Sequence, residues 1–205
     1  SPELYVLDKV IKKGFLIADI KLEFNDQGQI KNNFTINGFI KDGKLSFNNK
    51  YNIDKINFIF DLEKNGLVIG DSNFSLNDLN FYSDRISVKR KANIFLINGE
   101  IDHKKFNLDS TKIDILIKRF FGNSNPKKLS FSSKNTFSFN LSKKLKLTDL
   151  EIVSKVKLIE LSILNDLNFK NFFPKIKEKI TFLNNDLEIR YKKDKLSLIG
   201  KGKIL

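Results

Sequence analysis

Carboxylates are the side chains here whose spacing could do chemistry. Asp78, Asp149 and Asp166 each stand third in a phrase that reads apolar, x, Asp, apolar, x, apolar. The copies are Leu76-Asn77-Asp78-Leu79-Asn80-Phe81, Leu147-Thr148-Asp149-Leu150-Glu151-Ile152 and Leu164-Asn165-Asp166-Leu167-Asn168-Phe169. A looser copy is Ile53-Asp54-Lys55-Ile56-Asn57-Phe58. Recurrent carboxylates can form acid/base pairs or hold a cation. These are better explained as turn formers: Asp bends the chain by bonding its own backbone, and the apolar-x-apolar that follows opens a strand with one greasy face.

Other chemistry is equally thin. His103 is the single histidine of the chain, and its setting, Asp102-His103-Lys104-Lys105, reads as a charged turn rather than as a catalytic base. Gly38 and Gly43 sit at strand spacing with no helix following, so no phosphate-binding loop is read from them. With Cys 0 there is no disulfide framework, thiolate chemistry or zinc ribbon. No enzyme, metal site, cofactor or small-molecule substrate is expected.

The elements that must position these residues are strands. A second repeat, Ile36-Asn37-Gly38-Phe39-Ile40 followed by Leu45, returns as Ile97-Asn98-Gly99-Glu100-Ile101 followed by Phe106. Gly in third place suits a bulge or a close approach of backbone. Leu16, Ala18, Ile20, Leu22 and Phe24 alternate with Ile17, Asp19, Lys21 and Glu23 in a strand that Asp26-Gln27-Gly28 turns. Phe34, Ile36, Gly38 and Ile40 run back, and Asp42-Gly43 reads as a hairpin turn. Ile56 to Leu62 is the next strand, closed by Asn65-Gly66, and short pieces follow to Phe81. Arg85 to Ile101 reads as one long strand, and Ile113 to Phe121 as a strand or a short helix, with the strand favoured. Gly122-Asn123-Ser124-Asn125-Pro126 is the clearest break. Asn171 to Ile180 is expected to hold a helical turn, and Asp186 to Tyr191 with Lys195 to Ile199 a closing hairpin. The expected organisation is a repetitive β segment over 1–121, a loop at 122–128, and its continuation over 129–205. The sum is an all-β antiparallel meander of many strands. Its apolar face must be hidden in a closed β-sandwich or barrel, or partly hidden in a long open trough.

Composition narrows the partners. Phe 20 against Tyr 4 and Trp 0 suits a dry interior or a surface that meets acyl chains, not a protein-binding patch. The net charge of +13 attracts polyanions or an anionic membrane. Arg occurs only at Arg85, Arg90, Arg119 and Arg190, however, and scattered Lys fits a solvated face better than specific nucleic-acid readout. With Ser at position 1 and Met 0, the chain reads as a piece of a longer protein.

Residues 34 to 109 resemble a stretch of the AsmA/TamB-like family of bacterial envelope proteins. The likeness is carried by Asn37-Gly38-Phe39-Ile40, Asn98-Gly99-Glu100-Ile101, the Leu-x-Asp-Leu-x-Phe openings, and Phe58-Ile59-Phe60-Asp61-Leu62 leading through Asn65-Gly66 to Leu67-Val68-Ile69. Phe172-Phe173-Pro174-Lys175 through Tyr191 to Gly200 is similar in flavour. The resemblance implies an elongated, taco-like open groove, a half-barrel, in a periplasmic protein anchored in the inner membrane of a Gram-negative bacterium. It also implies phospholipid as cargo in outer-membrane biogenesis, with membrane attachment through parts of the parent protein, and it brings no catalytic residues. The expected lining is Leu16, Ile20, Leu22, Phe34, Ile36, Phe58, Phe60, Phe95, Phe137 and Phe139. The competing expectation is a structural or adhesive β-scaffold with its apolar faces closed on each other.

Overall fold

The computed structural model describes residues 11–47, 51–76, 79–108, 125–144, 146–164 and 179–204. Alternating apolar and polar side chains extend most of them into long strands. These are β1 (Ile11–Phe24), β2 (Ile30–Phe47), β3 (Tyr51–Glu63), β4 (Gly66–Leu76), β5 (Leu79–Lys91), β6 (Ile94–Leu108), β7 (Asn125–Ser142), β8 (Leu147–Leu164), β9 (Lys179–Lys192) and β10 (Lys195–Ile204). They form one ten-stranded sheet in chain order, an antiparallel meander. β1 and β10 stand at opposite ends of that order, so the sheet is not closed into a barrel. No helix and no second sheet occurs among the described residues. The closed barrel is thereby set aside.

The chain divides into two compact units. One comprises Ser1–Asp102, Thr136–Ile152 and Lys192–Asp194, and the other His103–Asn135, Val153–Tyr191 and Lys195–Leu205. Among the described residues of the first, the one buried hydrophobic side chain is Ile56; the second holds Leu108, Leu129, Leu158 and Leu161. The expected boundary at 122–128 is displaced, because residues 125–128 already belong to β7. The strand or helix expected over Ile113 to Phe121 lies outside the described residues, as does the helical turn expected over Asn171 to Ile180, apart from Lys179 and Ile180, which are strand.

The copies of the repeated phrase do not all encode the same thing. At Leu76 to Phe81 it joins two strands as expected: β4 ends at Leu76, β5 opens at Leu79, and the two pair, while Asp78 itself, like Asp166, lies outside the described residues. The copies beginning at Ile53 and Leu147 differ from the expectation and lie within strands. Lys55 within β3 and Asp149 within β8 adopt left-handed backbone at φ 54°. The same placement, an apolar residue two positions before a left-handed one, recurs at Asp42 after Ile40, Asp71 after Ile69 and Asn184 after Phe182. Asp and Asn tolerate this conformation because a short polar side chain can satisfy nearby backbone. At Asp42, Lys55 and Asp71 the inserted residue is a β-bulge. Register slips by one there, between Ile40↔Phe58 and Gly43↔Ile56, and between Asp54↔Ser75 and Asn57↔Asn73. Asn57 ties the bulges together. Its Oδ1 accepts from the Asp42 N–H at 3.0 Å, while its Nδ2 donates to the Lys55 carbonyl at 2.8 Å and to Asn73 Oδ1 at 2.9 Å.

Asp42-Gly43 is therefore no hairpin, since β2 runs through it to Phe47. The long strand expected from Arg85 to Ile101 is likewise divided: Ala92, at φ 51°, turns the chain between β5 and β6, where Lys91 pairs with Ile94. Neither Gly nor Pro marks that turn. The other hairpins stand as expected. Asn25 closes the first, its N–H donating to the Gln29 carbonyl at 2.9 Å. Lys193 and Asp194, at φ 50° and 58°, close the last, both left-handed as a strand-matched two-residue turn requires.

The bulges generate a stability test. A β-branched residue cannot take the left-handed well that Asp71 occupies at φ 45°. Asp71→Val is expected to lower unfolding free energy in urea by about 1–2 kcal/mol relative to Asp71→Gly. Equal midpoints for the two variants would refute the bulge at that position.

Candidate functional site

One face of the first unit is apolar without interruption, and the strand registers show why. Across β1 and β2, Leu16 lies opposite Ile40, Ala18 opposite Gly38, Ile20 opposite Ile36 and Leu22 opposite Phe34. In β3, Leu62 lies opposite Ile36, Phe60 opposite Gly38 and Phe58 opposite Ile40. The stripe passes to Ile69 and Leu67 of β4, then to Ile86 and Val88 of β5. It ends on Gly99, Ile97 and Phe95 of β6, with Arg90 opposite Phe95 at its extremity. Directly opposed residues share a face of the sheet, so apolar positions in step along each strand make a continuous surface.

The bulges keep that surface intact. Beyond Asp42 the apolar positions change from even to odd numbers, and Gly43 and Leu45 still pair with Ile56 and Ile53. One inserted residue cancels the change of parity, so the greasy side chains stay on their face.

Phe137 and Phe139 of β7 join the same face. A Cβ built on Gly99 would lie 3.0 Å from Cζ of Phe137 and 2.9 Å from Cγ1 of Ile86, so the ring of Phe137 covers that glycine. Gly38 is covered in the same way: its Cβ would lie 2.9 Å from Cζ of Phe60 and against the Ile17 carbonyl oxygen. The two Ile-Asn-Gly phrases are thus one device, a bare glycine under a phenylalanine from the following strand. The close approach anticipated from sequence is present at both. Phe58 and Phe60 meet edge to face at 6.2 Å, and Phe137 and Phe139 stack at 6.0 Å.

All ten expected lining residues therefore lie on one face, and none of them is fully buried. Ile20 is 61% exposed and Leu16 63%. Phe34, Ile36, Phe58, Phe60, Phe95, Phe137 and Phe139 are half-buried by their neighbours in the sheet.

Some features escaped the sequence reading. On the opposite face, Ile17, Phe39 and Ile59 lie in register as an exposed apolar row. Beside it opens a recess of about 300 Å³ reached by Lys41, Asn57 and Asp71. Period two had assigned that face to polar residues; the exception at Ile59 is visible in the unbroken run Phe58-Ile59-Phe60. His103 is also placed differently. It lies inside β6, 5% exposed, with its ring 5.5 Å from that of Phe131. The charged-turn reading fails because Lys104 and Lys105 are strand residues pointing to solvent, not turn residues.

Polar chemistry is dispersed. No cluster of metal-ligating side chains occurs among the described residues. A recess of about 460 Å³ is lined by Asp84, Arg85, Asn98, Glu100 and Thr136 with Phe137, a set of mixed charge. In the second unit, Lys128 Nζ lies 2.7 Å from Glu160 Oε2. The Lys128 hydrogen bond is the main cause that holds the Glu160 carboxyl below the usual carboxylate range, against a smaller opposing effect of burial. Comparison with family models, with curated protein sequences and with solved structures finds no match.

Two measurements check this geometry. Gly38→Val and Gly99→Val each force a side chain into the space of a phenylalanine ring, and at Gly38 against a backbone carbonyl that cannot yield. Each is expected to destabilise by about 1–3 kcal/mol in thermal denaturation; unchanged melting would remove the ring from above the glycine. Glu160, its folded pKa depressed, adds stability that is present above its unfolded pKa and is lost as pH falls through the lower folded one. A carboxyl titration by NMR should place it below the usual carboxylate range and return it toward that range in Lys128→Ala.

Proposed function

We propose that the apolar face binds and conducts phospholipid acyl chains, in a segment of an AsmA/TamB-like envelope protein that carries lipid between inner and outer membranes. The observation that carries this reading is the apolar stripe, aligned by register from β1 to β6 and joined by Phe137 and Phe139, on a sheet not closed into a barrel, with none of the ten expected lining side chains buried. A closed scaffold would bury these residues in a core. An acyl chain laid along the stripe gains roughly 0.8 kcal/mol for each CH₂ removed from water. Many equivalent weak contacts in a row suit a cargo that must slide.

Head groups stay in water along the edge of the stripe. Arg90, opposite Phe95 where the stripe ends, offers a phosphate a two-pronged donor there, and exposed Lys64 and Lys91 add charge beside it. The parent protein in this reading is periplasmic and is held to the inner membrane by parts outside the described residues, among which no helix is long and apolar enough to cross a membrane. No specific nucleic acid and no catalytic step belongs to this function.

Native mass spectrometry of the purified chain, followed by lipid extraction, tests it. Phospholipid is expected to co-purify and to be lost in Phe60→Glu while the β-rich circular dichroism persists. A lipid-free, stably folded protein would overturn the proposal. So would outright unfolding of Phe60→Glu, since a charge is ruinous only in a closed core.

A further inference from the structure

The face turned away from the stripe carries a second ordered row, and strand register sets its course. Ile17 lies opposite Phe39, Phe39 opposite Ile59, Ile59 opposite Gly70 and Gly70 opposite Arg85. The three apolar side chains are 60%, 40% and 50% exposed. Their row is narrow. Asp19, Asn37 and Asp61, in register with one another, flank it on one side, and Phe15, Lys41 and Asn57 on the other. A Cβ on Gly70 would lie 3.2 Å from Cγ1 of Ile59, so the Ile59 side chain lies over that glycine. Beyond it the row ends at the recess of about 460 Å³, where Arg85 stands with Asp84, Glu100, Asn98 and Thr136. Among the described residues, no ion pair joins Arg85 to either carboxylate.

We infer that this row and its recess form a second binding surface, separate from the stripe, for one amphiphile whose head joins a phosphate to a primary ammonium. The apolar part is one side chain wide between largely polar flanks. That width suits a single acyl chain, and it does not supply the roughly 800 Å² that each partner gives to a stable protein interface. From β1 to β5 the row runs four interstrand spacings, about 19 Å, so one extended molecule reaches from the apolar end into the recess. Charge specifies the head. The Arg85 guanidinium matches a phosphate with two parallel hydrogen bonds, and Asn98 and Thr136 add donors beside it. Asp84 and Glu100 would repel a head that is anionic only. An ammonium carried next to the phosphate turns that repulsion into attraction, and its three N–H donors are enough for both carboxylates.

Isoleucine methyl groups report the two faces separately: Ile17 and Ile59 on this one, Ile36 and Ile69 on the stripe. The experiment is an NMR titration of the full chain, labelled at isoleucine methyls, with dodecanoyl lysophosphatidylethanolamine kept below its critical micelle concentration. Lysophosphatidylglycerol of the same chain length is the comparison. Shifts at Ile17 and Ile59 are expected, with an apparent Kd about tenfold lower for the ethanolamine head. Arg85→Gln, a change at an exposed side chain, should weaken the response at Ile59 about tenfold. Asp84→Asn together with Glu100→Gln should erase the preference between heads. Shifts confined to Ile36 and Ile69 would leave the stripe as the lipid site and overturn the inference. Shifts confined to Ile17 and Ile59 would uphold it and count against the stripe. Equal affinity for the two heads, or binding unchanged in Arg85→Gln, would overturn the assignment of the recess.

Discussion

A pleated strand sends successive side chains to opposite faces, and an insertion of one residue exchanges the faces of everything beyond it. The apolar surface of this protein exists because its insertions are matched by changes in sequence parity. At Asp42, Lys55 and Asp71 the backbone turns left-handed and the register slips by one, and in each strand the apolar positions slip with it. Asn57 links these places by bonding the Asp42 amide, the Lys55 carbonyl and the Asn73 side chain at once. Bulges bend their strands and raise local twist, so the same residues that preserve the face also coil the sheet that bears it.

A sheet of this kind stabilises itself without a conventional core. In the first unit the apolar side chains cover one another across strands, with Ile56 as the one buried hydrophobic side chain among the described residues. Cross-strand neighbours are the stabilising unit, each contributing a fraction of a kcal/mol, and long strands supply many of them. Phenylalanine rings laid over Gly38 and Gly99 add contact where a glycine would otherwise leave the sheet bare. The consequence for function is direct. An apolar surface stabilised from within its own layer remains available to a ligand, whereas one stabilised by a second layer does not.

Much of this was legible in the chain. The alternation of Leu16 to Phe24 and of Phe34 to Ile40 announced strands and the face they share, and the paired Ile-Asn-Gly phrases announced a close approach that both glycines make. The apolar-x-Asp-apolar phrase was legible as a repeat, but its copies serve two structures: that at Leu76 to Phe81 joins β4 to β5, and those beginning at Ile53 and Leu147 lie within strands. Asp in the left-handed region serves a bulge and a turn equally well, so residue type alone does not distinguish them. Ala92 carried no signal at all, because a turn can be imposed by the pairing on either side of it.

The sequence by itself determined the all-β class, the order of most hairpins and which side chains are greasy together, because these depend on local period and on turn residues a few positions apart. Only the tertiary structure decided that Asp42 and Asp71 continue strands, that His103 is buried beside Phe131, and that Ile17, Phe39 and Ile59 form a row on the far face. It also decided that the sheet stays open. The physical reason is register. Which residue lies opposite which is set by hydrogen-bonded partners far apart in the chain, and a bulge in one strand acquires its meaning only from the strand beside it.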